Sequence, residues 1–163
     1  MKFISHRGNL SGVNPTNENT IEQIDHVIYN EGLDCEIDIR GYWGTGLYLG
    51  HEKIQEQISV EWLLDRSAQL WIHCKDLESL EILSNHEFSY LLNYFFHDKD
   101  DAVLTSHKQI WVHPDSEYLP KNSIAMLKGL QRWSTDEILE KCYGVCSDNI
   151  ISIKERHEKN NLV

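Results

Sequence analysis

Leu33-Asp34-Cys35-Glu36-Ile37-Asp38-Ile39-Arg40 alternates apolar and polar side chains without a break. Successive side chains of an extended chain point to opposite faces, so Leu33, Cys35, Ile37 and Ile39 share one face and Asp34, Glu36, Asp38 and Arg40 the other. The stretch therefore predicts a strand whose apolar face turns to a core and whose other face carries Glu36 and Asp38 together. A carboxylate pair of this kind is half of a site for a hard divalent cation, which prefers oxygen ligands. A solvated face on an edge strand satisfies the same pattern, and the rest of the chain must decide between the two.

Upstream, Lys2 to Arg7 predicts a first strand, followed by a polar loop from Asn9 to Asn17. A helix then opens at Asn19 or Thr20, with Gln23 in the capping-box position and Ile21, Ile24, Val27 and Ile28 at helical spacing. Gly32 ends it. Downstream, a Gly-rich excursion from Gly41 to Gly50 leads to His51-Glu52, and Ser59 to Ala68 predicts a helix buried along Val60, Leu63 and Leu64. Gln69 to Lys75 reads as a strand, and Asp76 caps a helix running to about Ser84. Further strands end at His97 and span Ala102 to Thr105, Gln109 to His113, Ser123 to Leu127 and Gly144 to Ser147, which makes eight in all. A short helix opens at Ser134 with Glu137 in the box position, and a frayed polar tail is expected from Lys154.

Alternation also places His73 and Lys75 on one face. Three polar sets thus sit at C-terminal strand ends, where parallel α/β sheets and barrels bind ligands: His6-Arg7, Glu36 with Asp38, and His73 with Lys75. His51 arrives from a loop. Histidines beside a cation suit general acid and base chemistry at neutral pH. Trp111 shares a strand face with His113, which puts it either in a pocket wall or in the core. Asp98-Lys99-Asp100-Asp101 lacks EF-hand spacing and reads as a solvated turn, although His97 and Asp98 at a strand end are within reach of the site. His26, His86, His107 and His157 read as structural or exposed.

At 163 residues the chain is expected to form one domain, residues 1–153, with the polar tail at 154–163. Acidic residues outnumber basic ones 26 to 15, a net charge of −11 that argues against a nucleic-acid partner and requires any anionic substrate to find a locally positive site. No apolar run approaches the ~20 residues of a membrane span. The N-terminal residues carry no basic segment followed by an apolar one, from which a cytoplasmic location is expected. The four cysteines, with Cys142 and Cys146 lacking a matching second pair, read as reduced structural thiols.

Ile4-Ser5-His6-Arg7-Gly8, Asn17-Glu18-Asn19-Thr20, Glu36-Ile37-Asp38-Ile39, Gly50-His51-Glu52 and Leu70-Trp71-Ile72-His73-Cys74-Lys75, taken in this order, resemble the glycerophosphodiester phosphodiesterases and the related sphingomyelinase D-type phospholipases of the PLC-like phosphodiesterase superfamily. Weaker echoes are Ile110-Trp111-Val112 and Ser147-Asp148. The resemblance implies a (β/α)8 TIM-type barrel, and because a full one takes ~250 residues, a compact version with several helices shortened or missing, mainly in the C-terminal half. A homo-oligomer would cover its bare outer wall.

The resemblance further implies a metal-dependent phosphodiesterase acting on a glycerophosphodiester or another small phosphodiester. His6 and His51 would transfer protons, Glu36 and Asp38 would hold the metal, and Arg7 and Lys75 would meet the phosphate, with Trp111 against the substrate. Mg2+ is the expected ion, with Ca2+, Mn2+ or Zn2+ as alternatives. His73 stands where the family has a third acidic ligand, and imidazole suits Mn2+ or Zn2+ better than Mg2+. That departure motivates a second reading, a catalytically weak or inactive relative that binds a phosphorylated ligand or a protein partner.

Overall fold

A computed structural model describes residues 1–42, 44–128 and 132–161. The alternating stretch is β2 (Asp34–Tyr42), which lies near the middle of a ten-stranded mixed sheet. On one side β2 pairs in parallel with β1 (Lys2–His6), and β1 with β10 (Gly144–Ser147). Next come β9 (Ser123–Leu127) and β8 (Ile110–Val112), both parallel, and then β7 (Ala102–Leu104), antiparallel to β8. On its other side β2 pairs in parallel with β5 (Leu70–Cys74), and β5 with β6 (Tyr94–Phe96). The far end of β2 folds into an antiparallel extension with β3 (Gly46–Leu49) and β4 (Gln57–Ile58).

Architecturally this is a mixed α/β fold with few helices, and it departs from an eight-fold parallel ring. Seven strands run parallel, β7 runs against them, and β3 with β4 form a hairpin where the sequence suggested only a Gly-rich excursion. Position 43 of that excursion lies outside the described residues. No ladder joins β6 to β7 among the described residues, but Ser106 N donates to Tyr94 O at 2.8 Å and Ser106 Oγ accepts from Tyr94 N at 2.9 Å. From β6 to β9 the strands are linked without any α-helix among the described residues.

Alternation sorts the core into two parts. Cys35, Ile37 and Ile39 of β2, with Leu70, Ile72 and Cys74 of β5, point outward into a cluster shared with the helices. Toward the other face, Ile4, Trp71, Phe95, Trp111, Ile124, Met126 and Cys146 form a second cluster with Val103 against it, fed by β1 and by every strand from β5 to β10. On that inner face β2 contributes acids instead, and Asp34 at its lower end is paired with Lys2 Nζ (2.9 Å) and Trp71 Nε1 (2.9 Å).

Helix α1 (Ile21–Asp25) is capped by Thr20 Oγ1, which accepts from Gln23 N, but the Gln23 side chain does not close the expected box. It donates instead to Gly8 O at 2.7 Å, tying the helix to the turn after β1. The helix finishes in a π-helical turn, His26–Asn30. Helix α3 (Leu77–Ser84) carries the expected cap Asp76, while α2 (Val60–Asp65) is capped by Ser59, expected as its first residue, and is shorter than the sequence suggests, with only Leu63 buried. In α4 (Thr135–Lys141), Ser134 and Glu137 form a complete capping box. Residues expected to fray belong to α5 (Ile150–Asn160), held by buried Ile150 and Ile153 and by a two-pronged Arg156–Asp136 pair. The last two residues of the tail, 162 and 163, lie outside the described residues. All four cysteines are free thiols.

Candidate active site

Each parallel strand delivers a polar side chain to the same end of the sheet: His6 closes β1, Glu36 and Asp38 lie within β2, His73 sits in β5 with Lys75 just past it, and His97, His113, Lys128 and Asp148 stand one residue past β6, β8, β9 and β10. His6, Arg7, Glu36, His51, His73 and Lys75 meet around one cavity of about 240 Å³, and its opposite wall is made by His97, Trp111, His113 and Lys128. Asp38 is completely buried beside the cavity and reaches it through the groups that hold it. A larger hollow of about 780 Å³ outside α1 is lined by surface side chains such as Thr16, Glu22 and Tyr29. No sheet residue lines it, so the candidate site is the smaller cavity.

The turn after β1 organises the site. Arg7 adopts a left-handed backbone (φ 56°), unusual for a side-chain-bearing residue, followed by Gly8 at φ 87°. That turn lets Arg7 N donate to Glu36 O (2.9 Å) and Arg7 O accept from Asn19 N (3.0 Å). Its guanidinium Nε then lies 2.8 Å from Asp38 Oδ2, with the terminal nitrogen 3.6 Å from Glu18 Oε2. Glu18 accepts from Asn9 Nδ2 (2.7 Å), the same amide also donates to Asp148 Oδ1 (2.8 Å), and that oxygen lies 2.7 Å from His6 Nδ1. A continuous polar chain thus links Arg7 to His6.

Asp38 is fastened twice by Asn19, which donates to Oδ2 at 3.1 Å and accepts from Asp38 N at 2.9 Å. Its Oδ1 has no hydrogen-bond partner; it faces His73 Nδ1 at 3.1 Å and Lys75 Nζ at 3.9 Å as an ion-pair acceptor. Burial alone would push this carboxyl upward, yet His73, Arg7 and Lys75 together hold it well below the usual carboxylate range. For His73 burial again opposes the charge, and the Asp38 and Glu36 carboxylates outweigh it and shift the imidazole upward. Glu36 is 2% exposed, with Oε1 3.7 Å from His73 Nδ1 and Oε2 3.9 Å from His6 Nε2.

Glu36, Asp38 and His73 each offer a ligand atom, and these atoms all lie within 4.8 Å of one another. Two carboxylates, one with an unpartnered buried oxygen, and an imidazole make a donor set that fits a divalent cation. The sequence reading of Glu36 and Asp38 as a solvated edge does not describe them, since both are buried between neighbouring strands.

His51 approaches from the loop after β3. Its Nδ1 lies 2.8 Å from Glu52 Oε1, and its carbonyl accepts from Arg40 Nε at 2.9 Å. Burial lowers its pKa, helped by Arg7 and Lys75 against the pull of Asp38. Trp111 satisfies both expected roles, being 7% exposed, stacked on Phe95 at 4.7 Å, and edged onto the cavity. His97 is also shifted downward, by burial and then by the facing His73 and His113.

Sequence reasoning did not assign roles to Asp148, Asn9, Asn19 and Lys128. Asp148 and Lys128 each stand one residue past a parallel strand, the position His97 and His113 also occupy, so strand ends alone would have found them. Asn19 offers no such signal, because its role depends on a left-handed backbone (φ 54°) at a non-glycine residue. No protein-family model, curated protein or solved structure matches the chain.

Proposed function

We propose that the chain is a metal-dependent phosphodiesterase of the glycerophosphodiester type, with a compact (β/α)8-like barrel as its scaffold. The barrel reading is supported by the inner cluster drawn from strands all round the sheet and by the Ser106–Tyr94 bonds that bring β7 against β6. The observation that carries the function is the convergence of two histidines, two cationic groups and a carboxylate–imidazole set on one cavity at the C-terminal strand ends.

Glu36, Asp38 and His73 are the residues that would hold a divalent ion, Mg2+ first, with Mn2+ or Zn2+ favoured by the imidazole. When bound, such an ion neutralises charge on the phosphoryl oxygens. Lys75 and Arg7 add positive charge that resolves the conflict between an anionic substrate and a protein of net −11. Asp148 fixes the hydrogen of His6 on Nδ1 and leaves Nε2 facing the cavity as a proton acceptor. His51, on the other side, returns a proton to the departing alcohol oxygen. In a substrate with a hydroxyl beside the ester, that hydroxyl attacks phosphorus as His6 takes its proton, and a cyclic phosphate forms as the P–O bond to the alcohol breaks.

A second reading, a weak or inactive relative that binds a phosphorylated ligand, is favoured by one detail. His73 Nε2 is buried without a partner, whereas metal-bound histidines ordinarily have the second nitrogen braced by a hydrogen bond. Alcohol release from a panel of diesters with Mg2+, Mn2+, Zn2+ or chelator separates the two. Hydrolysis that falls by about 10²–10⁴ in His6→Ala and His51→Ala supports the enzyme. Metal-independent silence across the panel, with binding retained, supports the second reading.

A further inference from the structure

We infer that the cavity wall formed by His97, His113 and Lys128 is a second anion subsite, so that the substrate carries another oxyanion, a phosphate monoester or a carboxylate, beyond the diester itself. The inference rests on the phosphodiesterase reading and names the substrate class of the same cavity.

The two walls differ in how their charges are used. Arg7 and Lys75 lie within 4 Å of Asp38, so their charge is shared between the buried acid and the diester phosphate. Lys128 makes no ion pair among the described residues, and neither does His97. His97 Nδ1 is buried with no hydrogen-bond partner, which is costly unless a ligand supplies one. The His97 and His113 rings stand 5.4 Å apart between centroids, and His73 is 6.2 Å from His97, so the imidazoles form a row leading away from the carboxylates. Asp98 is the one acid of this wall that lines the cavity, and His113 Nδ1 has a partner of its own in Asp115 Oδ2 at 3.6 Å.

His97 and Lys128 therefore bring groups without an ion-pair partner to one wall, inside a molecule whose overall charge repels anions. A wall of two imidazoles and one ammonium, all just past strand ends, suits the oxygens of an anionic group that projects from either alcohol of the diester. The neighbouring Trp111 edge gives the intervening carbons an apolar floor. A diester with no second oxyanion would leave the buried His97 Nδ1 without a partner.

The test compares three glycerol phosphodiesters whose second alcohol is ethanol, glycolate or ethylene glycol monophosphate, measured by kcat/KM and, in parallel, by calorimetric binding. The wild-type protein is expected to favour the anionic members over the ethyl ester by about tenfold or more, since hydrogen bonds to charged groups each contribute on that scale. The phosphate and carboxylate arms identify which oxyanion the wall prefers. His97→Gln/His113→Gln/Lys128→Gln, checked for an unchanged circular dichroism spectrum, is expected to bring the ratio close to one, and Lys128→Gln alone to lower it several-fold. A ratio near one in the wild type, or a preference that survives the triple variant, overturns the subsite. Two divalent ions per chain, one of them lost in the triple variant, would make the wall a metal site and also overturn it. Should none of the diesters be cleaved, the phosphodiesterase reading fails, and the binding preference with its loss in the triple variant still decides the subsite.

Discussion

His6 Nδ1 lies 2.7 Å from Asp148 Oδ1, a contact across 142 residues that joins the first parallel strand to the last. Asp148→Asn keeps the shape but offers an amide where the imidazole hydrogen needs an acceptor, so the His6 tautomer and ring orientation are lost. Turnover of a diester is expected to fall about 10–100-fold or more with little change in fold. The same substitution bears on acid stability. Burial opposes the Asp148 charge, but His6 and Asn9 outweigh it and hold the carboxyl below its ordinary value. A depressed carboxyl stabilises the fold above its unfolded pKa and loses that contribution as pH falls through its folded one. Wild-type melting temperature should therefore drop more steeply than that of Asp148→Asn below the ordinary carboxylate range, as read by thermal melts across pH.

Asn19 holds Asp38 at both ends, 1% exposed and in a left-handed conformation. Asn19→Ala leaves a buried backbone N–H unpaired and a buried carboxylate oxygen short of a donor, and it forces an alanine into a conformation that asparagine tolerates better. A loss of about 2–4 kcal/mol is expected in urea unfolding. Asn19→Gly should recover the backbone part and not the hydrogen-bond part, so its stability is expected between the two.

The half of the candidate site on β2 and β5 was legible because it uses period-two patterning. Glu36, Asp38, His73 and Lys75 announce their shared faces through alternation alone, and β2, β5, β9 and β10 lie within a residue or two of where that alternation puts them. What stayed hidden depends on long-range pairing or on compensation. The Gln23 side chain abandons its own helix cap for Gly8 O, a choice made by the turn after β1 and not by the helix. The tail from Lys154 looks polar and short of core residues, yet Arg156 finds Asp136 and the Phe3 and His157 rings meet at 5.5 Å, contacts set by tertiary packing. Trp43 and its neighbours form no periodic pattern at all, and the reversal from β2 into β3 is specified by glycines at positive φ, Gly44 and Gly46.

On the proposed metal-site reading, His73 is the position expected to set metal preference. Replacing it with Asp adds a third carboxylate next to Glu36 and Asp38, which favours a hard ion over a borderline one. His73→Asp is expected to tighten Mg2+ binding relative to Zn2+ by at least about tenfold in calorimetric titrations, a readout independent of turnover. The extra negative charge beside Asp38 should also lower thermal stability when chelator is present and restore it when Mg2+ is added. A Zn2+ preference unchanged by the substitution would remove His73 from the ligand set.

Gly41 shows how tightly the acidic strand is locked to the helix that follows Lys75. Its N–H donates to Asp76 Oδ1 at 3.0 Å, and the same oxygen caps α3 by accepting from Ser79 N at 2.9 Å. A Cβ added at Gly41 would stand 2.6 Å from Ser79 N and 2.7 Å from Glu78 Cβ, closer than any relaxed contact. Two of the three crowding atoms are backbone, so α3 itself must shift. Gly41→Ala is expected to cost about 1–3 kcal/mol in urea unfolding through overpacking. Because α3 follows directly from Lys75 and its cap Asp76, the shift carries into the site: KM for a phosphodiester should rise more than kcat falls. Leu77→Ala, on the exposed side of the same helix turn, relieves nothing at Gly41 and should leave both values near those of the wild type.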